Sequence, residues 1–314
     1  MPRVTASGFE LADGPVLVTG AAGFVARFLM EELRMGPGDI ATDMTTDFTV
    51  PDGVTRVAWT LPSPPPVDLA DVAFVVHLAA MTSVARSHGA ALDYYHANAM
   101  GTVSLVDSLL EASSAARLLF VSSADVYGSV EGAIRESCPP NPASPYAGSK
   151  AAAEIAVLQA HRSAGLDAVI ARPFPHFGPG QAPHFALPSF CRRVIEAAAA
   201  GAGSVKGGNL SAVRDYTYVS DVASAYSAIL AAGASGEVYN VASGRGRTMG
   251  EVLEAVIGIS GVRLEIETDP GLMRQADIAS QVGDPSRLAE LGWRPVVDFH
   301  EGLSRLYDWW RRSR

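Results

Sequence analysis

The feature that most constrains this chain is the alternation of short apolar runs with helical patterns, beginning at a glycine turn. Pro15 to Thr19 is an apolar run that enters the turn Gly20 to Gly23 and leaves it as the amphipathic stretch Phe24 to Arg34. There Phe24, Phe28, Leu29 and Leu33 recur at helical spacing. This predicts strand, turn and helix. Further apolar runs at Ala73 to Leu78, Leu118 to Val121 and Ala168 to Ala171 are separated by helical patterns around Asn98 to Ala112 and Tyr146 to Ala164. Such unbroken apolar runs suit strands covered on both faces, so the expected class is α/β, a doubly wound parallel sheet.

After Arg172 the composition shifts to Pro and Gly, and the remainder mixes short helices and strands. A smaller mixed α/β lobe is expected there. Tyr218 to Leu230 reads as a helix and Glu237 to Val241 as a strand, both suited to rejoining the first sheet. The expected organisation is a dinucleotide-binding domain over 1–172, joined again by 215–244, with a substrate lobe from 173–214 and 245–314. The proline cluster Pro62 to Pro66 is short and reads as a surface loop.

The net charge of -9 argues against a nucleic-acid partner, which needs a concentrated basic face. The two cysteines, Cys138 and Cys191, offer neither a disulfide framework nor metal-ligand spacing, so no metal is expected and a reducing compartment is. No signal-peptide run opens the sequence and no segment reaches the length of a membrane span, which places the chain in the cytoplasm as an expectation.

Three groups of residues carry chemistry. A turn with Gly20 and Gly23 between a strand and a helix lets backbone N–H groups approach a pyrophosphate, and Asp43, at the end of the second strand, is placed to accept from adenosine ribose hydroxyls. No arginine follows Asp43 directly, which favours NAD(H) over NADP(H). The second group is Tyr146-Ala-Gly-Ser-Lys150. Ser144 and Pro145 supply a helix cap and first-turn residue, so Tyr146 and Lys150 share one helix face. An ammonium near a phenol favours the phenolate and suits the phenol to proton transfer with a carbonyl or alcohol. Of the 24 lysines and arginines only Lys150 and Lys206 are lysine, so a chain that otherwise uses arginine keeps a compact ammonium here. Third, Ser123 follows an apolar strand and is placed to hydrogen-bond the same substrate oxygen.

Five segments, Val18 to Val25, His77 to Ala80, Asn98 to Thr102, Ser122 to Gly128 and Tyr146 to Lys150, resemble in order and spacing the extended short-chain dehydrogenase/reductase family acting on nucleotide sugars. Arg172 to Gln181, Gly208 to Tyr216 and Gly236 to Gly244 look most like the GDP-4-keto-6-deoxy-D-mannose reductases of that family, which make GDP-D-rhamnose. The resemblance implies a Rossmann domain, a catalytic set of Ser123, Tyr146 and Lys150, and NAD(H) or NADP(H) as cofactor. It implies cofactor contacts from Gly20, Gly23, Phe24, Val25, Asp43, Leu78, Ala79, Ala80, Asn98, Tyr146, Lys150 and Pro173. For a nucleotide-sugar substrate it implies Ser83, Ser123, Asp125 and His176, with Arg214 and Arg274 at the pyrophosphate. It also implies a homodimer built on the helix carrying Tyr146 and the long helix before it.

The chain departs from the family pattern at Ala26, which replaces a third glycine, and at Pro175, which stands where an asparagine contacts substrate. It departs again at Met81, where polar residues are frequent, and at Thr60-Leu61 near the adenine. The expected reaction is reduction of a sugar C4 carbonyl. The alternatives are a nucleotide-sugar 4-epimerase, then a 4,6-dehydratase, for which Ala124 removes one member of the acid/base pair, and lastly a dinucleotide sensor without turnover.

Overall fold

A computed structural model describes residues 2–272 and 278–313. Seven parallel strands form the central sheet: β1 (Val16–Thr19), β2 (Ile40–Asp43), β3 (Thr55–Ala58), β4 (Phe74–His77), β5 (Arg117–Val121), β6 (Ala168–Pro173) and β7 (Val238–Val241). Their spatial order is β3-β2-β1-β4-β5-β6-β7, so the winding reverses between β1 and β4. The strand β3 was not expected from the sequence. It is an edge strand with a largely exposed Thr-Arg-Val-Ala pattern and carries no apolar run.

Alternate residues of each central strand bury against opposite helical layers. Val16 and Val18 of β1 and Leu119 and Val121 of β5 pack with α1 (Phe24–Glu32) and α5 (Val219–Ala232) through Leu29, Met30, Val222 and Ile229. Leu17, Leu118 and Phe120 face the other way, onto α2 (Gly101–Glu111) and α3 (Pro145–Ala164) through Leu105, Leu109, Ala153 and Val157. Helix α3 starts where its cap residues dictate: the Ser144 hydroxyl accepts from the Ala147 N–H at 3.1 Å, Pro145 takes the first turn, and Gly165 ends it with φ +73°. Ahead of α2, Tyr95–Met100 form one wide π turn in place of the α-helix that the pattern predicts.

The C-terminal lobe packs α4 (Ala186–Ala199), α6 (Met249–Ser260) and α7 (Phe299–Arg312) around Phe190, Cys191, Val194, Leu253 and Leu306. A four-stranded sheet, Gly246–Thr248, Val213–Asp215, Ser280–Gly283 and Ala133–Ile134 in that order, joins this lobe to the loop following β5. Asp215 knots the junction by accepting from the N–H groups of Ser243 at 3.0 Å, Gly244 at 2.8 Å and Gly283 at 3.3 Å. The segment 217–241 returns to the main sheet as α5 and β7, which pairs with β6. No described helix is long and apolar enough to cross a membrane.

Candidate active site

The carboxyl ends of the central strands open into a crevice of about 1320 Å³ between the sheet and the C-terminal lobe. It lies where the winding reverses, the place at which such sheets leave room for a ligand. Of the residues expected at the site, all line this crevice except two. Asn98 lies beneath it, and Arg274 falls outside the described residues.

The glycine turn has the shape a pyrophosphate requires. Gly20 has φ +73°, and a side chain on it would place Cβ 2.6 Å from the Ala79 nitrogen; on Gly23, Cβ would fall 2.9 Å from the Gly20 carbonyl oxygen. Gly23 caps α1 without a side-chain hydrogen bond and no acidic residue occupies the first turn, so the helix presents its N–H groups to the crevice. Ala26 in place of a third glycine is fully buried against the sheet. The Asp43 carboxylate accepts from the Ala22 N–H at 3.0 Å and the Met44 N–H at 2.8 Å, bracing the turn at the mouth of the crevice. These features fit a dinucleotide, with the acidic group placed for a ribose.

Below the turn, a buried polar clamp sets the loop after β4. The His77 Nδ1 lies 2.7 Å from Thr19 Oγ1 and its Nε2 3.1 Å from Thr102 Oγ1, while Thr102 donates to the Asn98 carbonyl at 2.6 Å. A neutral ring protonated on Nε2 satisfies all three contacts, and burial pushes His77 down to about 3. Asn98 accepts from the Met81 N–H at 2.7 Å and donates to the Met81 carbonyl at 3.0 Å and Ser149 Oγ at 2.9 Å. It shapes the loop Leu78 to Met81 from below. Thr19 and Thr102 were not singled out in the sequence, since nothing in their spacing reveals a shared histidine.

Ser123, Tyr146 and Lys150 converge from two elements. Ser123 lies two residues beyond β5 and caps the short helix Ala124–Tyr127, its Oγ accepting from the Asp125 N–H at 3.1 Å. Tyr146 and Lys150 stand one turn apart on α3, both buried. The Lys150 ammonium sits 4.5 Å from the Phe120 ring centroid. Burial pulls Lys150 down to about 7, and the Glu154 carboxylate one turn further on opposes this. The expectation that the lysine pulls the phenol down is not what dominates. Burial pushes Tyr146 above its ordinary value, the Asp125 carboxylate pushes the same way, the Ser123 hydroxyl opposes, and Tyr94 adds a further upward push. The resting phenol is therefore a protonated donor.

On the substrate side, the Ser83 Oγ caps Val84–Ser87 by accepting from the Arg86 N–H, and its carbonyl accepts from Tyr94 Oη at 2.6 Å. His176 lies parallel to Phe24 with ring centroids 6.1 Å apart and donates through Nδ1 to the Phe174 carbonyl. Arg214 donates to the Val213 carbonyl at 2.8 Å from the strand at the lobe junction. Pro175 accepts at its carbonyl from the Thr217 N–H at 3.0 Å, so this position serves the lobe junction through its backbone.

The profile of the family described as GDP-mannose 4,6 dehydratase matches residues 67–306. The chain is 34% identical over 308 residues to the GDP-6-deoxy-D-mannose reductase of Pseudomonas aeruginosa, covering 95% of this chain and 98% of that protein. Among solved structures it is similar to DesIV, a dTDP-glucose 4,6-dehydratase from Streptomyces venezuelae with NAD and TYD bound. That match has a TM-score of 0.85 and 28% identity and covers 96% of this chain and 98% of that one. It is also similar to RMD from Pseudomonas aeruginosa complexed with NADPH, with a TM-score of 0.81 and 31% identity over 96% of this chain and 100% of that one.

Proposed function

This chain belongs to the GDP-mannose 4,6-dehydratase family of extended short-chain dehydrogenases/reductases, and from that premise we propose that it reduces the 4-keto group of a nucleotide-linked 6-deoxy-4-ketohexose. GDP-4-keto-6-deoxy-D-mannose, giving GDP-D-rhamnose, is the substrate best supported. The observation that carries the reading is the environment of the Ser123 and Tyr146 hydroxyls. They face one crevice in which, among the described residues, Asp125 is the neighbouring carboxylate, while the buried Ala124 beside it supplies no acid for elimination.

When bound, the reduced nicotinamide supplies a hydride to the sugar C4. The glycine turn and the α1 N-terminus would hold the cofactor pyrophosphate, and Asp43 would accept from the adenosine ribose. A carboxylate there repels a 2′-phosphate, which supports NAD(H) over NADP(H). Tyr146 Oη donates its proton to the sugar oxygen, and Ser123 Oγ donates a hydrogen bond to that oxygen as negative charge develops. The Lys150 ammonium stabilises the phenolate that Tyr146 becomes. Arg214 offers a cation to the sugar nucleotide's pyrophosphate.

The direct test adds the purified protein to GDP-4-keto-6-deoxy-D-mannose with NADH and, separately, NADPH. Loss of the reduced nicotinamide absorbance, matched mole for mole by a 6-deoxyhexose product, is expected. No net oxidation, with NAD found firmly held by the protein as isolated, would overturn the reductase in favour of a 4-epimerase.

Lys150 gives the reaction a pH signature. Its ammonium is required and is held down to about 7 by burial, so it is charged below that pH and lost above it. The kcat/KM for reduction, which reports the free enzyme, is expected to fall by about tenfold per pH unit above neutrality. Lys150→Met should lower the plateau and remove that limb. A profile that keeps its alkaline fall in the variant would assign the limb to another group.

The exposed apolar side chains Leu92, Met100, Val103 and Ile155 lie on the 91–111 helical stretch and on α3. They support a homodimer formed across these helices. Light scattering is expected to give twice the chain mass, and Ile155→Arg, which adds a charge to an 67% exposed apolar position, to shift the protein toward monomer. A variant that remains dimeric at micromolar concentration would place the interface elsewhere.

A further inference from the structure

The strand Ser280–Gly283 pairs in parallel with Val213–Asp215, and Gln281 is the register partner of Arg214. On its other side the strand pairs with Ala133–Ile134, in the loop that follows the catalytic serine. Gln281 is 2% exposed, and its Nε2 donates to Asp125 Oδ1 at 3.2 Å. A polar side chain at a buried strand position costs stability unless it is matched, and an aliphatic residue would fill the same space without that cost. Packing therefore does not explain glutamine at 281; the carboxylate it reaches does.

We propose that Gln281 is a positioning residue for the reductive step: its amide fixes the Asp125 carboxylate in the crevice wall beside Ser123 and Tyr146, coupling the strand that carries Arg214 to the proton donor. The inference rests on the reductase reading given above. A neutral amide suits the task because it orients the carboxylate without cancelling its charge, as a guanidinium would. The Asp125 backbone N–H in turn donates to Ser123 Oγ, so Gln281, Asp125 and Ser123 form one chain of contacts ending at the hydroxyl proposed to bind the sugar oxygen. Among the described residues, the groups acting on Tyr146 are Asp125 and Ser123 from the segment after β5, Tyr94 from the 91–94 turn and Tyr226 from α5, and Lys150 stands one turn further along its own helix. Burial is the larger reason that the phenolate is disfavoured, and among these groups Asp125 adds a negative charge that acts in the same direction.

The test is a titration of Tyr146 in the full-length protein saturated with NAD, following tyrosinate absorbance in the near ultraviolet. Each variant is compared with the same variant carrying Tyr146→Phe, so that the difference isolates one tyrosine. Asp125→Asn is expected to move the Tyr146 titration to lower pH by about one unit. Gln281→Leu should move it the same way by less, and in the double variant Gln281→Leu should add nothing to Asp125→Asn. With sugar substrate, Gln281→Leu should lower kcat several-fold with KM little changed. Should Gln281→Leu destabilise the protein, Gln281→Met supplies the same loss of the amide in a side chain of similar length. A Gln281 effect that persists undiminished in the Asp125→Asn background, or a lowered melting temperature with an unmoved titration, would overturn the proposal and leave Gln281 a packing residue. Absence of turnover would count against the reductase reading alone, because the titration needs no sugar.

Discussion

Tyr146→Phe is expected to lower kcat by about 10²- to 10⁴-fold while leaving cofactor binding intact. The substitution removes one oxygen. The ring keeps its edge-on contact with Tyr94, at a centroid separation of 6.4 Å, and the Tyr146 carbonyl still accepts from Ser149 Oγ at 2.7 Å. The helix around Lys150 is thus preserved, and with it the part of the crevice proposed to hold the nicotinamide ribose. What disappears is the proposed proton donor, and no described neighbour replaces it: Ser123 Oγ is a far weaker acid, and the Asp125 carboxylate is an acceptor. Turnover and cofactor affinity must be measured on the same preparation, by nicotinamide absorbance and by fluorescence titration. Loss of affinity together with activity would make Tyr146 a structural residue and remove the foundation of the mechanism.

The legible parts of the molecule were those in which one local rule decides the outcome. Val16 to Thr19 and Leu118 to Val121 read as buried strands because both faces of a covered sheet demand apolar side chains. Ser144 and Pro145 mark the start of α3, so the one-face placement of Tyr146 and Lys150 follows from helix geometry. The family resemblance rests on short segments of this kind, of which those around Gly20, Leu78, Ser123 and Tyr146 line the crevice, and the match to residues 67–306 agrees with it. Illegible were contacts that join distant segments through unremarkable residues. Thr19 and Thr102 meet only because His77 lies between their strand and helix. Gln281 reaches Asp125 across 156 positions of sequence. The strand Thr55–Ala58 escaped because an edge position tolerates the exposed Arg56. The direction of the phenol's shift is hidden for a related reason: Lys150 is four residues from Tyr146 in sequence, but burial and Asp125, invisible to spacing, push the phenol up.

Arg172→Met is expected to destabilise the protein by about 3–5 kcal/mol, the largest loss of stability among the substitutions considered. Arg172, at the end of β6, reaches across to α3 and grips Glu154 through Nε to Oε1 at 2.9 Å and Nη2 to Oε2 at 2.5 Å. Both side chains are about 95% shielded from solvent, at 5% and 4% exposure. The guanidinium also lies over the Tyr127 ring at 4.6 Å, and Tyr127 Oη donates to Asn240 Oδ1 at 2.7 Å on β7. Removing the arginine strands a carboxylate in this interior, whereas replacing both partners by apolar residues removes the charge with its counter-charge. Glu154→Leu/Arg172→Met should therefore recover most of the stability in denaturant unfolding. The recovery should not extend to the pH profile. Glu154 is the carboxylate that holds up the Lys150 ammonium against burial, so the double variant should lose activity at a lower pH than the parent. A double variant as unstable as Arg172→Met would show that the pair acts through shape. Unchanged titration of Lys150 would separate the buried pair from catalysis and leave it a clamp between α3 and the sheet.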